Sequence, residues 1–239
     1  MIEVPDAPYT LQAGITGEVS EIIPERGVII EAHGALVQGI WGNDLIDLGM
    51  MLSLIRSPED GITRDRLDVS MRGAVVLAGY CENADVFEHA AQLPLRGLIL
   101  SSMTGDMIPA ANKAPFPVVV LEGIGNIPMN SAAFKLLSTS EKRDVSINAA
   151  AWDPYTGQRP EILVTLPATG KLAPEVETFQ AGQTVKIQTT PYTGQIGTLT
   201  KLLPGLTRLP NGLRVQAGEI KLENNVQVTL PLMNLDVLE

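Results

Sequence analysis

The chain has 239 residues, 45% hydrophobic and 18% charged, long enough to bury a sizeable core without metal or disulfide staples. Its charge is uneven: up to Thr178 there are 12 Lys and Arg against 23 Asp and Glu, whereas Phe179 to Glu239 holds 5 against 4. The first part should therefore repel a polyanion, so any nucleic-acid contact must come from the C-terminal stretch. A single cysteine, Cys81, excludes an intramolecular disulfide and fits a reducing compartment. The opening "MIEVPDAPYT" carries acidic residues where a signal peptide needs basic ones, and no apolar run reaches the roughly 18 residues of a membrane helix. The expectation is a soluble cytoplasmic protein with no membrane partner.

In chain order, "GEVSEIIPERGVIIEA" sets Val19, Ile22 and Ile23 before a "PERG" turn and Val28, Ile29 and Ile30 after it, the pattern of a β-hairpin. "GALVQGIWG" follows, and its Gly34, Gly39 and Gly42 suggest bulges or bends, so residues 1–60 are expected to form a small curled β module. From residue 61 the rhythm changes. "AVVLAG" is a short buried-strand run, "ADVFEHAAQL" spaces Val86, Phe87, Ala90 and Leu93 along one helical face, and "GLILSS" returns to strand. Ala74 to Ser102 thus reads as a right-handed βαβ crossover with parallel strands. "FPVVVLEG" adds a strand, "NSAAFKLLSTS" a helix capped by Asn130 or Ser131, and "RDVSINAAAWD" and "EILVTL" two more strands. This α/β lobe covers 61–166. "PATGKLAPEVET", with two prolines and few large apolar residues, predicts a linker over 167–178.

Residues 179–239 alternate again. "GQTVKIQT" sets Val185 and Ile187 against Lys186 and Gln188; "EIKLENNVQVTL" alternates through Ile220, Leu222, Val226, Val228 and Leu230 around Asn224 and Asn225; "LPNGL" supplies a turn at Asn211 and Gly212. These are half-buried strands of a small antiparallel barrel. In "PYTGQIGTLTKLLPG", Gly194 and Gly197 let the backbone bend where one strand hands over to the next, which puts Tyr192 on the loop so formed. The fold class expected for the whole chain is α+β and β-rich.

At these residues the sequence resembles the KOW-type SH3-like barrel of bacterial transcription elongation factors and large-subunit ribosomal proteins. The resemblance rests on Gly182, Val185 and Ile187, on Pro191, Gly194, Ile196 and Gly197, and on Pro231, Asn234 and Leu235 at the close. It implies a module that binds RNA or another protein through the loop near Tyr192 and the adjacent hairpin. Near neutrality, where a ribosomal relative would be basic, favours a protein partner. The N-terminal stretch vaguely resembles the barrel-sandwich modules of lipoyl and biotinyl carriers, but no lysine precedes Lys113 to carry a cofactor.

Two sets of candidate binding residues follow. On the barrel, Tyr192 and Gly194 with Lys201, Arg208 and Arg214, joined by Lys186 and Lys221, could hold a phosphate backbone while the ring stacks on a base; the alternative is that these cations are solvated strand faces. In the lobe, the loops "GYCEN", "SSMTGD" and "EGIGN" leave the carboxyl ends of parallel strands, where ligands of open α/β sheets bind. They would gather Cys81, Asn83, Ser101, Ser102, Thr104, Glu122, Gly123 and Asn126 into a pocket, although such residues are common in any loop. No catalytic residue, metal site or cofactor is assigned: nothing brings His89 or His33 to Cys81, neither histidine has a second ligand at usable spacing, and "EGIGN" lacks a nucleotide-binding lysine or GxGxxG. Trp152, Asp153, Tyr155 and Arg159 form a turn-rich segment, either an interface anchor or a plug in the seam between lobes, with the plug preferred. The functional expectation is a non-catalytic interaction or assembly protein that binds a protein partner through its barrel. An RNA- or ribosome-associated factor and an enzyme with a small-molecule site at the lobe's rim are the alternatives.

Overall fold

The computed structural model describes residues 13–153, 155–167 and 178–238. The expected linker lies almost wholly outside the described residues, as does "MIEVPDAPYT". Among the described residues no helix is long and apolar enough to cross a membrane. The protein is mixed α+β and rich in strand.

The expected hairpin forms from β1 (Glu18–Ile23) and β2 (Gly27–Glu31), turning through Glu25 at φ 58. Among the described residues up to 60, it is the one pair of strands outside the lobe's sheet. The strands β3 (Gly34–Gln38), β4 (Trp41–Gly42) and β5 (Ile46–Ser53) pair into the sheet of the lobe, so strands from both sides of residue 60 share one structure. The glycines expected to curl a separate module instead permit close contact: a Cβ on Gly42 would lie 2.2 Å from the carbonyl oxygen of Ala149.

The βαβ unit is β6 (Ala74–Leu77), α1 (Asp85–Gln92) and β7 (Gly97–Met103), with its strands parallel. After the short α2 (Ile108–Ala111), β8 (Val118–Ile124) pairs parallel to β7. Beyond α3 (Ser131–Thr139), the strands β9 (Asp144–Asn148) and β10 (Glu161–Thr165) return antiparallel and insert between β5 and β3. The sheet order is β3-β10-β9-β5-β6-β7-β8-β4.

Alternation then sorts the core. Val76, Ala78, Leu98, Leu100, Val118 and Val120 face one way and pack with Val86, Phe87 and Ala90 of α1. Val75, Leu77, Ile99, Val119 and Leu121 face the other way, towards Ala133 and Leu137 of α3. Asn43 ties the turn before β5 to the opposite edge: its amide donates to the carbonyls of Ala111 and Phe116, and its oxygen accepts from the Val118 amide at 2.9 Å.

The C-terminal sheet is β11 (Thr184–Ile187), β12 (Ile196–Leu202), β15 (Ala217–Leu222), β16 (Gln227–Pro231) and β17 (Leu235–Leu238), interrupted by a small hairpin of β13 (Thr207–Arg208) and β14 (Arg214–Val215). All its pairings are antiparallel, in the order β16-β15-β12-β11-β17. Val185, Ile187, Leu199, Ile220, Leu222 and Leu235 form its core.

Candidate functional site

β8 reads "VVVLEGI", apolar but for Glu122. The β7–β8 register slips by one residue after Leu100 and Val120, resuming at Ser102 and Gly123. The extra residue lets two successive side chains point to one side of the sheet: Leu121 joins the core beneath α3, and Glu122 reaches the start of α3. There its Oε1 accepts from the Asn130 backbone N–H at 2.9 Å and from Asn130 Nδ2 at 2.5 Å. Asn130 is the N-cap, and its own oxygen accepts from the Ala133 amide at 2.8 Å. Such a cap contributes about 1 kcal/mol.

The other carboxylate oxygen, Oε2, lies 2.7 Å from Lys186 Nζ of β11, with the two side chains 0% and 9% exposed. A charge with so little water carries a desolvation cost of several kcal/mol, and only a close counter-ion with further hydrogen bonds offsets it. Lys186, expected among the free cations of the C-terminal sheet, is thus committed to the lobe. Alternation explains why: Val185 and Ile187 enter the C-terminal core, so Lys186 projects from the opposite face, and that face meets the lobe.

Gly194 completes the contact. Its φ is +82, and a Cβ there would come within 3.4 Å of Glu122 Oε2 and 3.9 Å of Ile127. The glycine-hinged loop therefore bends against the lobe instead of standing free. Tyr192 is half-buried and packs on the C-terminal core, its backbone N–H bonded to the Thr189 carbonyl at 2.9 Å. Around the seam, Ser131 Oγ donates to Glu223 Oε1 at 2.8 Å, and Arg159 lies 3.8 Å from Asp236. A cleft of about 340 Å³ runs beside it, lined among others by Glu59, Asn130, Ser131, Gly194 and Glu223.

The three rim loops do come together, with most of their candidate residues packed inside. Cys81 bridges to Met103, the Cys81 amide donates to the Ser102 carbonyl at 3.0 Å, and the Thr104 amide donates to the Cys81 carbonyl at 3.2 Å. Cys81, Ser101 and Ser102 are fully buried, Glu122 and Gly123 are buried too, and Asn83 and Asn126 point outward. Ser102 Oγ is used locally, donating to the Ile127 carbonyl at 2.7 Å and accepting from the Ile127 amide at 3.0 Å. The side-chain oxygens of Ser101 and Thr104 are buried without partners. His89 turns its Nε2 to the Leu67 carbonyl at 3.3 Å.

No family model matches the chain, and comparison with curated proteins finds no match. The site is therefore read on its own chemistry.

Burial pushes the Cys81 thiol up to about 11, opposed in part by hydrogen bonding with the Asn83 backbone, and nearby Asp85 and Glu82 add to the rise. A thiol that stays protonated and shielded is a poor nucleophile. The native protein should resist iodoacetamide at pH 8 and become alkylated only on denaturation, as read by intact mass.

Asp60 sits below its ordinary 3.8, chiefly because its carboxylate accepts from the Arg56 amide at 2.7 Å and also from the Ser57 hydroxyl and amide. A carboxyl depressed on folding stabilises above its unfolded value, and that stabilisation is lost as pH falls through the folded one. Asp60→Ala should therefore lower Tm at neutral pH, and the gap to the parent should narrow as pH drops below about 4.

Trp152 does not plug the seam. It is 56% exposed and Tyr155 is 96% exposed, because Asp153 turns the segment outward by accepting from the Tyr155 amide and the Thr156 hydroxyl.

Proposed function

We propose that the protein is a non-catalytic assembly factor of the cytoplasm whose C-terminal sheet, a KOW-type SH3-like barrel, binds an acidic protein partner through its β13–β14 tip. The observation that carries this reading is how the candidate residues divide. Tyr192 and Gly194 are turned towards the C-terminal core and the lobe, while Lys201, Arg208 and Arg214 remain exposed. Arg208 and Arg214 are paired directly across the tip. Beside them Leu206, Leu213 and Leu202 are 68%, 56% and 37% exposed. Aliphatic surface rimmed by guanidinium groups suits a partner with a hydrophobic centre and carboxylates around it.

An RNA partner would draw on the same cations, but Tyr192, packed on the core, does not offer them a free ring for stacking, and the lobe's negative charge opposes it. The test is capture from lysate with the parent chain and with Leu206→Asp and Arg214→Glu variants, before and after ribonuclease. The reading expects one protein retained by the parent through ribonuclease treatment and lost by both variants. Retention that ribonuclease abolishes, with steep weakening by salt, would replace it with the RNA reading.

A further inference from the structure

Two hairpins of this chain each set a pair of like charges directly opposite one another, and the two pairs have opposite sign. On the β1–β2 arm, Glu18 stands across from Glu31 and Glu21 across from Ile29. Side chains alternate along a strand and cross-strand partners share a face. Glu18, Glu21 and Glu31 therefore share one face of the arm with Ile23 and Ile29, while Val19, Ile22, Val28 and Ile30 take the other. On the β13–β14 tip, Arg208 stands across from Arg214. Leu209, next in the chain after Arg208, is only 7% exposed, so the tip's other face packs inward and the two arginines turn to solvent.

Like charges opposed across a ladder destabilise it unless something neutralises them. Glu18, Glu21, Glu31, Arg208 and Arg214 are all exposed, and among the described residues none of them forms an ion pair. Lys201, by contrast, already stands across from Glu219. The arm pairs only with itself, and on its carboxylate face Ile23 and Ile29 are 37% and 43% exposed. Aliphatic side chains edged by carboxylates are the complement of the tip, where exposed Leu206 and Leu213 lie beside the arginines.

We infer that the protein self-associates, the carboxylate face of one copy's arm seating on the arginine face of another copy's tip. This rests on the reading of the tip as a docking surface and names its occupant as a second copy of this chain. Guanidinium groups donate charge-assisted hydrogen bonds to carboxylates, so one contact neutralises both like-charge pairs, and the leucines of the tip cover Ile23 and Ile29. Each copy offers one arm and one tip. Reciprocal exchange between two copies closes a two-fold dimer, and head-to-tail contact gives a ring or a filament.

The experiment is sedimentation velocity of the full chain over a concentration series at low and high salt, with two charge-reversed variants. These are Glu18→Arg/Glu31→Arg on the arm and Arg208→Glu/Arg214→Glu on the tip. All four positions are exposed, so both variants should keep the parent's circular dichroism. The parent should associate as concentration rises and dissociate as salt screens the charges, and each variant alone should stay monomeric. Mixing the two variants should restore association, because reversed arm then meets reversed tip and native arm meets native tip. A parent that stays monomeric throughout overturns the inference, and so does association that either variant retains, that salt leaves unchanged or that mixing fails to restore. Lysate capture reads the tip separately. A monomeric parent that captures another protein, lost on Arg214→Glu, keeps the docking tip and removes the second copy as its occupant; a tip variant that captures as the parent does removes both.

Discussion

Replacing Lys186 with methionine should destabilise the protein by about 3–5 kcal/mol, the cost of leaving a buried carboxylate without its counter-ion. Glu122 has no exposed side-chain surface through which water could compensate, and its remaining partner, Asn130, satisfies only Oε1. The effect should be largely reversed in a Lys186→Met/Glu122→Gln double variant, where the side-chain oxygen still accepts from Asn130 but no charge is stranded. With Glu122→Gln measured alone as the fourth corner, the cycle gives the coupling between the two residues. Arg159→Ala removes a second ion pair at the seam, which is 3.8 Å long and well exposed; it should cost under about 1 kcal/mol. Urea titration followed by tryptophan fluorescence checks all three, and both tryptophans, Trp41 and Trp152, lie in the lobe. A loss at Lys186 that registers in the lobe's own signal would show that the seam stabilises both sheets. A Lys186→Met variant as stable as the parent would mean the two sheets are not held by this pair.

The seam also marks where sequence reading succeeds and where it stops. Short apolar runs such as "AVVL" and "GLIL", with a helical face between them, specify the βαβ unit because burial on both sides of a parallel strand leaves no alternation to misread. "PERG" between two aliphatic runs gave the hairpin, and Asn130 the helix cap, because both are local effects. What one chain segment cannot reveal is its distant partner. That β10 pairs with β3, and so draws residues 34–38 into the lobe, depends on contacts more than a hundred positions apart. The burial of Glu122 and Lys186 left one trace: each is the lone charge in a strand otherwise fit for the interior, "VVVLEGI" and "TVKI". Alternation reads a lysine between two core residues as solvated, and here the solvent side is occupied by another sheet. Trp152 fails for the opposite reason, since its size argued for burial while the turn at Asp153 decided its direction.

Gly79→Ala should be the most damaging single methyl group in the lobe, with a loss exceeding about 3 kcal/mol, at the severe end of overpacking. Gly79 follows β6, where the segment around Asp60 adds to the sheet: the Tyr80 amide donates to the Asp60 carbonyl at 2.9 Å, and the Ile62 amide to the Tyr80 carbonyl at 2.8 Å. A Cβ on Gly79 would sit 1.6 Å from that Asp60 oxygen and 2.6 Å from its carbon. Both are backbone atoms fixed by the same ladder, so neither can rotate aside as a side chain would. On the other side the Gly79 carbonyl accepts from the Ser101 amide at 3.3 Å, so displacing Gly79 also pulls on β7 and on the buried Cys81 beside it. Gly73→Ala separates steric conflict from backbone conformation. Its φ is +75 with nothing within 4 Å of a Cβ, so it should cost only about 1–2 kcal/mol. Thermal melts rank the two, and iodoacetamide provides the second readout: Gly79→Ala should admit the reagent to Cys81 under native conditions and Gly73→Ala should not. If Gly79→Ala is neutral and Cys81 stays protected, the Asp60 segment does not close tightly on the rim; alkylation of Cys81 in the native parent would instead make an accessible pocket between the loops the better description.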